Sequence, residues 1–513
     1  MPFFDFHLHP ALKAQFSSIA QKPSPWENIR LRFRDPDLLL QILKCQGINE
    51  VVDSQASLDQ LISSGVNLVA IALHPPEGAM MRDGLIQKIA EEEQTRYIDN
   101  DKTDWIATGN HYYELLIQEL EHLQQHQEAG GKKLKLIRSI NEYDPAAADT
   151  VHAVLTVEGA HAFYGKKNSS GHYAEAEARA HFMDFTENRG IRIFSMNITH
   201  LEKNIFCNHA FGIQIFKPRP FFPESRGISP AGLQLLLDMK EKGILCDIKH
   251  MSLFARQQLY ATGWQQQGWP LVCTHAGLTG IPSSGRRSYF LHHRRTADGF
   301  LRVRHFKPKG YLAGTSFNAS SINLYDDDVL AIIRSGGLIG LSLDQRILGV
   351  PEELMLAPDY MADIYEQEVI SPGECDFFRD ISKKELPENA VLAIEDIRTE
   401  DRQHYPLYHA RHFWNQLFHL FRIAHTHQIP FTEMAKRICI GSDFDGMINP
   451  VDGCLKVTGL ESFKNRLLAV FASCEEEFFA LAGYRISTAV PADLLLHNIF
   501  YQNGLDFLKL WYR

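Results

Sequence analysis

No apolar stretch in this chain reaches membrane-spanning length, and no basic segment with an apolar core precedes the first strand-like run. A soluble, cytoplasmic protein with no membrane partner is therefore expected. Positive charge is also in deficit: 52 Lys and Arg face 62 Asp and Glu, a formal net charge of −10. That balance disfavours a nucleic-acid or anionic-membrane binder. Cysteine is sparse and unpatterned, with 8 residues at positions 45, 207, 246, 273, 375, 439, 454 and 474 and no Cys-x-x-Cys pair. Neither a disulfide framework nor a thiolate metal site is indicated, and buried thiols in a reducing compartment are expected. There is no internal repeat or low-complexity tract, which excludes solenoids and fibrous classes. What remains is an ordinary globular composition, 45% hydrophobic and 22% charged, over 513 residues. A chain of that length has room for a large core, and barrel folds often run this long as one unit.

Short apolar runs ending in a polar residue recur along the chain, with helical patterns between them. They are Phe3–Leu8, Val66–Leu73, Val151–Val157, Ile191–Thr199, Ile244–Ile248, Leu271–Thr274, Leu338–Leu343 and Arg437–Ile440. The intervening helices are clearest at Ala174–Asn188, Pro230–Lys242 and Leu460–Ala482. Strands alternating with helices are the signature of parallel βα units, and eight of them predict an α/β fold of the (β/α)8 TIM-barrel type. Two connections are too long for plain turns, at about 75–148 and 349–403. They are expected as long βα-loop insertions of one barrel domain spanning 1–513, since long loops in compact domains are usually lids or binding loops.

In such barrels the chemistry gathers at the C-terminal ends of the strands. Those ends carry His7, His9, Glu158, His200, His250, His275 and Asp443. His7 and His9 are spaced i, i+2 and so share one face of a strand. By itself the pair is weak evidence, because 24 His in 513 residues give roughly one His-x-His by chance. His425-Thr426-His427 has the same spacing at the end of a helical run and reads as a solvated helix end. A lone strand-end His is more often a hydrogen-bonded structural residue, and Asp443 and Asp445 in a Gly-flanked turn could be turn formers. Seven such residues on six strands exceed what one catalytic ion needs. Two divalent metal ions, zinc being the expected one, would be bridged by a carboxylate such as Glu158 and would hold a hydroxide between them. Asp443 would take its proton as it attacks a carbonyl and pass it to the leaving amine.

The strings Thr156-Val157-Glu158-Gly159-Ala160-His161, Ile198-Thr199-His200, Gly243 to Ser252 (GILCDIKHMS) and Gly441-Ser442-Asp443-Phe444-Asp445-Gly446 resemble the membrane dipeptidase (renal dipeptidase) family. This is the M19 peptidase group of the amidohydrolase superfamily. The closing Asn503-Gly504-Leu505-Asp506-Phe507-Leu508 is similar to that family's C-terminal helix. The resemblance implies a metallopeptidase acting on a dipeptide-like small molecule, with a tendency to form homodimers. It implies that His7 and the residue two after it bind the first metal, that Glu158 bridges, and that His250 and His275 bind the second. It makes His200 the group that polarises the scissile carbonyl and steadies the oxyanion, and Asp443 the proton shuttle. Arg286, with Arg287 as its neighbour, matches the family arginine that clamps the substrate carboxylate.

The chain departs from that pattern at His9, where the family has Asp. A neutral imidazole in place of a carboxylate leaves the site about one charge more positive and strengthens its pull on anionic substrates. Arg286, Arg287, Arg294, Arg295, Arg302, Arg304, Lys307 and Lys309 crowd one short span, either serving that pull or forming a solvated basic surface or internal salt-bridge partners for the acidic insertions. The same hydroxide could attack a lactone, cyclic amide or phosphoester, and a degenerate barrel that binds without turnover is the reading from another class. No lysine is expected at a strand end as a carboxylated metal bridge, and Lys249, next to His250, should point to the opposite strand face.

Overall fold

The computed structural model describes residues 2–35, 48–82, 85–95, 97–212, 221–305, 307–350, 367–377, 390–391 and 405–513. Its centre is a nearly closed barrel of eight parallel strands. They are β1 (Phe3–Leu8), β2 (Val66–Leu73), β3 (Thr150–Glu158), β4 (Ile193–Asn197), β5 (Leu245–Asp247), β6 (Leu271–Ala276), β7 (Leu338–Leu341) and β8 (Ile438–Ile440). Each pairs in parallel with the next. Closure comes just past β8, where Leu8 bridges Phe444, His9 N donates to Phe444 O, and Asp443 N donates to His7 O. All eight expected strands are present, six of them with one or both ends shifted by one or two residues.

Helices follow the strands as the patterns predict. Those used below are α1 (Pro230–Glu241), α2 (Tyr405–Thr426), α3 (Leu460–Ala482) and α4 (Asn503–Trp511). Ser229 caps α1 by accepting from Gly232 N, with Pro230 at the first helical position, where its missing N–H costs nothing. His425 and His427 lie exposed at and just beyond the C-terminal end of α2, as expected of a solvated end. The insertion expected at 75–148 carries helices at Gly78–Arg82, Leu85–Glu92, Asn100–Ala107 and Tyr112–Gln125, and a strand, Lys132–Leu136, that extends the sheet beside β3. Most of the insertion expected at 349–403 lies outside the described residues. Its strand Gln367–Ile370 joins Phe290–Arg295 and Leu301–His305 in a small antiparallel sheet apart from the barrel.

The barrel interior is plugged from its N-terminal end. Phe4, Phe6, Leu68, Ala70, Val154, Phe194, Leu245, Val272, Leu338 and Cys439 pack with Leu505, Phe507 and Leu508 of α4. Gly504 is required there, because a Cβ would run into the Phe4 ring. Asn503 Nδ2 ties the same helix to the Ala435 and Ile438 carbonyls at 2.7 Å. With the bottom filled by side chains, the barrel opens at its C-terminal mouth. β1 contains a register shift between Asp5 and Leu8 against β2. Phe4 and Phe6 point into the barrel, so regular alternation would send Leu8 inward; the extra residue moves Leu8 to the outer layer and turns His7 and His9 to the mouth.

Candidate active site

Glu158 closes β3 and is 3% exposed. Gly159 follows at φ 90°, and a Cβ there would collide with His161 and crowd His200, so the chain can turn this sharply only at glycine. Five imidazoles from four strand ends surround the carboxylate. Its Oε1 lies 3.1 Å from His250 Nε2, 3.4 Å from His275 Nε2 and 3.5 Å from His7 Nε2. Its Oε2 lies 3.3 Å from His9 Nε2 and 3.7 Å from His200 Nε2. Asp443 is held at φ 64° after β8, with Oδ1 3.5 Å from His9 Nε2 and Oδ2 4.0 Å from His275 Nε2. The structure thus brings His7, His9, Glu158, His200, His250, His275 and Asp443 into one centre at the mouth.

Two supporting groups were not singled out from the sequence. Glu77, fully buried, accepts a hydrogen bond from His200 Nδ1 and lies 3.3 Å from His74 Nε2 through its other oxygen. Asp247 accepts from Thr274 Oγ1 at 2.5 Å, and that hydroxyl lies 3.1 Å from His275 Nδ1, fixing the ring that turns Nε2 to Glu158. His74 ends β2 just as the other histidines end theirs, a positional signal that was available. Glu77 stands in a loop behind Pro75-Pro76, where periodicity carries no information.

The electrostatics separate the imidazoles. Burial works to raise the Glu158 carboxyl, but His200 and His7, with hydrogen bonds from His250 and His7, hold it well below the usual range. Burial likewise opposes charge on His9, yet hydrogen bonds to Asp443 and Glu158 push it up to about 10. His250 and His275 go the other way: burial, then the neighbouring His200 and His7 respectively, drives both well below the ordinary value. Imidazoles kept neutral beside an ionised carboxylate are suited to bind a metal ion.

The donor set fits a pair of borderline divalent ions. His7, His9 and Glu158 form one compact group of ligand atoms, and Glu158, His250 and His275 form another. Within the first, the two Nε2 atoms are 3.0 Å apart; within the second, 3.1 Å. Lone pairs that close repel unless a proton or cation lies between them. Nitrogen and carboxylate oxygen ligands in sets of three suit zinc or a similar ion.

Two expectations are corrected. Lys249 does not point away from the mouth: β5 ends at Asp247, strand alternation stops there, and His250 adopts φ 67°, so Lys249 and His250 both line the cavity. Arg286 and Arg287 are not brought to it. Arg286 is 4% exposed, with Nη2 2.7 Å from Glu368 and Nη1 on Glu374, and Arg287 reaches toward the Cys375 carbonyl. Arg295, Arg302 and Lys309 of the basic span are exposed, and none of the span's described side chains lines the cavity. The cavity encloses about 140 Å³ beside the metal-ligand cluster.

A barrel with a His and Glu donor set at the C-terminal ends of its strands is the architecture of a metal-dependent hydrolase. The model of the membrane dipeptidase family, peptidase family M19, matches residues 35–287. That span holds Glu158, His200, His250 and His275, while His7, His9 and Asp443 complete the centre from outside it. Among solved structures, a dipeptidase of metallopeptidase family M19 is 15% identical with TM-score 0.47, covering 100% of this chain and 99% of its own. A metallopeptidase from Rhodobacter sphaeroides, liganded with a phosphinate mimic of L-Ala-D-Ala, is 14% identical with TM-score 0.48, covering 100% and 99%. An amidohydrolase from Pseudomonas aeruginosa is 10% identical with TM-score 0.45, covering 93% and 100%. No curated protein sequence matches the chain.

Proposed function

We propose that this protein is a binuclear metallodipeptidase that cleaves the amide bond of a dipeptide or a similar small carboxylate-bearing amide. The observation that carries this reading is Glu158, a buried carboxylate with imidazoles converging on both of its oxygens. His7 and His9 would hold one divalent ion, His250 and His275 the other, with Glu158 between them and zinc the expected metal. When bound, the ions would lower the pKa of a water and polarise the scissile carbonyl.

The chain's own groups supply the rest. Asp443 stands over the imidazoles of both metal groups, placed to take a proton from the attacking water and return it to the leaving amine. His200 offers Nε2 to the mouth while Nδ1 is held by Glu77. In the doubly protonated form, for which the Glu77 carboxylate is the counter-charge, it would donate from Nε2 to the carbonyl oxygen as charge develops there, the role of an oxyanion-hole donor. Burial of Leu12, Phe16, Leu201 and Ile322 around the cavity keeps bulk water from competing with these bonds. The 7 described cysteines are all buried free thiols, and among the described residues no helix is long and apolar enough to cross a membrane. The thiols support a reducing, cytoplasmic setting.

The test is metal content by elemental mass spectrometry on protein purified without chelator, followed by a dipeptide panel. Two zinc ions per chain with dipeptide turnover is the expected result. A protein that takes up no zinc on titration overturns the reading.

A further inference from the structure

Besides its histidines, the cavity is lined by an arginine and a lysine, Arg346 and Lys249. They are not equivalent. Arg346 is clamped on Asp344, with Nε 3.0 Å from both carboxylate oxygens and Nη2 on Oδ2, so its charge is already matched. Lys249 is 2% exposed, and its Nζ donates to one uncharged acceptor, the Ile322 carbonyl, at 3.3 Å. Among the described residues no carboxylate lies within ion-pair distance of it, although Asp443, Glu158 and Asp247 act on it from farther off. An ammonium has three donors, so two remain for something in the cavity. Burial disfavours the charge of such an ammonium, and an anionic ligand group in the cavity would offset that cost.

A second observation falls on the loop that Lys249 touches. Ser320 is 3% exposed, lines the same cavity, and its Oγ has no hydrogen-bond partner among the described residues. It lies two residues from Ile322, whose carbonyl anchors the lysine. An unpartnered buried hydroxyl and a buried ammonium with no carboxylate at ion-pair distance line the same cavity, two donors that could serve the two oxygens of a carboxylate. Arg286, at the position the family resemblance would assign to a carboxylate clamp, is taken up by Glu368 and Glu374.

Resting on the dipeptidase reading above, we infer that Lys249 and Ser320 form the subsite that receives the free carboxylate of the substrate, with Lys249 as the specificity-determining cation. The carboxylate oxygens accept from Nζ and Oγ while the adjacent amide lies toward Glu158. Recognition by a lysine on the loop after β5 sets the distance between carboxylate and scissile bond, and so favours substrates with one residue after the cleaved amide.

The experiment is calorimetric binding of a phosphinate dipeptide mimic and its C-terminal amide to the metal-loaded full chain, for wild type, Lys249→Met, Lys249→Arg and Ser320→Ala. Wild type is expected to prefer the free acid by about 10- to 100-fold, the scale of a charge-assisted pair. Lys249→Met should bind acid and amide alike, with amide affinity close to that of wild type. Lys249→Arg should keep most of the preference, and Ser320→Ala should lose a smaller part. If Lys249→Met fails to fold, Ser320→Ala and the wild type still decide, because an undiminished acid preference in Ser320→Ala, or no acid preference in the wild type, overturns the subsite. Dipeptide turnover by wild type with an undiminished acid preference in Lys249→Met overturns this inference alone. No binding of either mimic and no dipeptide turnover by wild type overturns the dipeptidase reading together with it.

Discussion

Glu77 accepts a hydrogen bond from His200 Nδ1 at the back of the cavity, leaving His200 Nε2 3.7 Å from Glu158. Burial would raise the Glu77 carboxyl, but His200 and His74 outweigh it and hold it well below the usual carboxylate range. Glu77 is therefore an ionised positioning group that fixes which nitrogen of His200 faces the substrate. Glu77→Gln keeps an acceptor and removes the charge. Supporting groups of this kind are worth roughly 10- to 100-fold in activity, so kcat should fall by that order while metal content stays at the wild-type value. Steady-state kinetics with elemental analysis of the same preparation checks both halves.

Glu158 is shared by both ligand groups, so its removal should not behave like the loss of one histidine. Glu158→Ala is expected to retain less than one ion per chain, whereas His275→Ala should retain about one at the His7 and His9 side. A bound ion also stabilises the fold by mass action, about 2.7 kcal/mol at a hundredfold excess over Kd. Chelation should therefore lower the thermal midpoint of the wild type and leave that of Glu158→Ala nearly unmoved. Calorimetric scans with and without chelator give the answer.

Arg286 has the surroundings of a structural group: burial on one side and two carboxylates on the other. Removing one partner of a buried ionic cluster leaves the others uncompensated, at a cost of about 3–5 kcal/mol. Arg286→Ala should unfold at clearly lower denaturant, and in the fraction that folds KM for a dipeptide should be close to wild type. A large rise in KM at unchanged stability would return Arg286 to the substrate.

The same cluster gives a pH dependence. Burial raises Glu368, but Arg286, His305 and Ser321 lower it further, to about 2 against 4.5 in the open chain. A carboxyl whose pKa is depressed by folding adds stability above the unfolded value and loses it as pH falls through the folded one. The window is pH 4.5 down to about 2, and the shift corresponds to roughly 3 kcal/mol. Glu368→Gln should lose less stability than wild type across that window, read from urea titrations at stepped pH.

How far the sequence was legible follows a physical line. Strand ends were readable because burial on both faces forces continuous apolar runs, and the first polar residue after each run, such as Glu158 or His275, is where the barrel opens. The pairing of His7 and His9 was readable from their spacing, but the bulge at Asp5 to Leu8 that aims them was not, since no residue type demands it. Lys249 was misassigned because alternation was extended past Asp247, where the strand had already ended. Arg286 could not be judged alone: its partners lie 82 and 88 residues further on, across an insertion whose packing no local pattern encodes.

Asp443 carries the sharpest kinetic prediction. It sits at positive φ, a strained place for a residue with a Cβ, and its amide is tied to the His7 carbonyl at 2.9 Å. That tie makes the backbone of β1 hold the carboxylate over the imidazoles, so the strain serves placement. Asp443→Asn tolerates the same backbone, because Asn also occupies the left-handed region, and it remains a hydrogen-bonding group of the same size. What it cannot do is take a proton from water. General-base loss costs about 10²- to 10⁴-fold, so kcat should drop by that order with stability within about 1 kcal/mol of wild type. Asp443→Ala should add a stability loss, because the left-handed conformation then lacks the side chain that tolerates it. Equal kcat in wild type and Asp443→Asn would remove Asp443 from proton transfer and leave it a turn former.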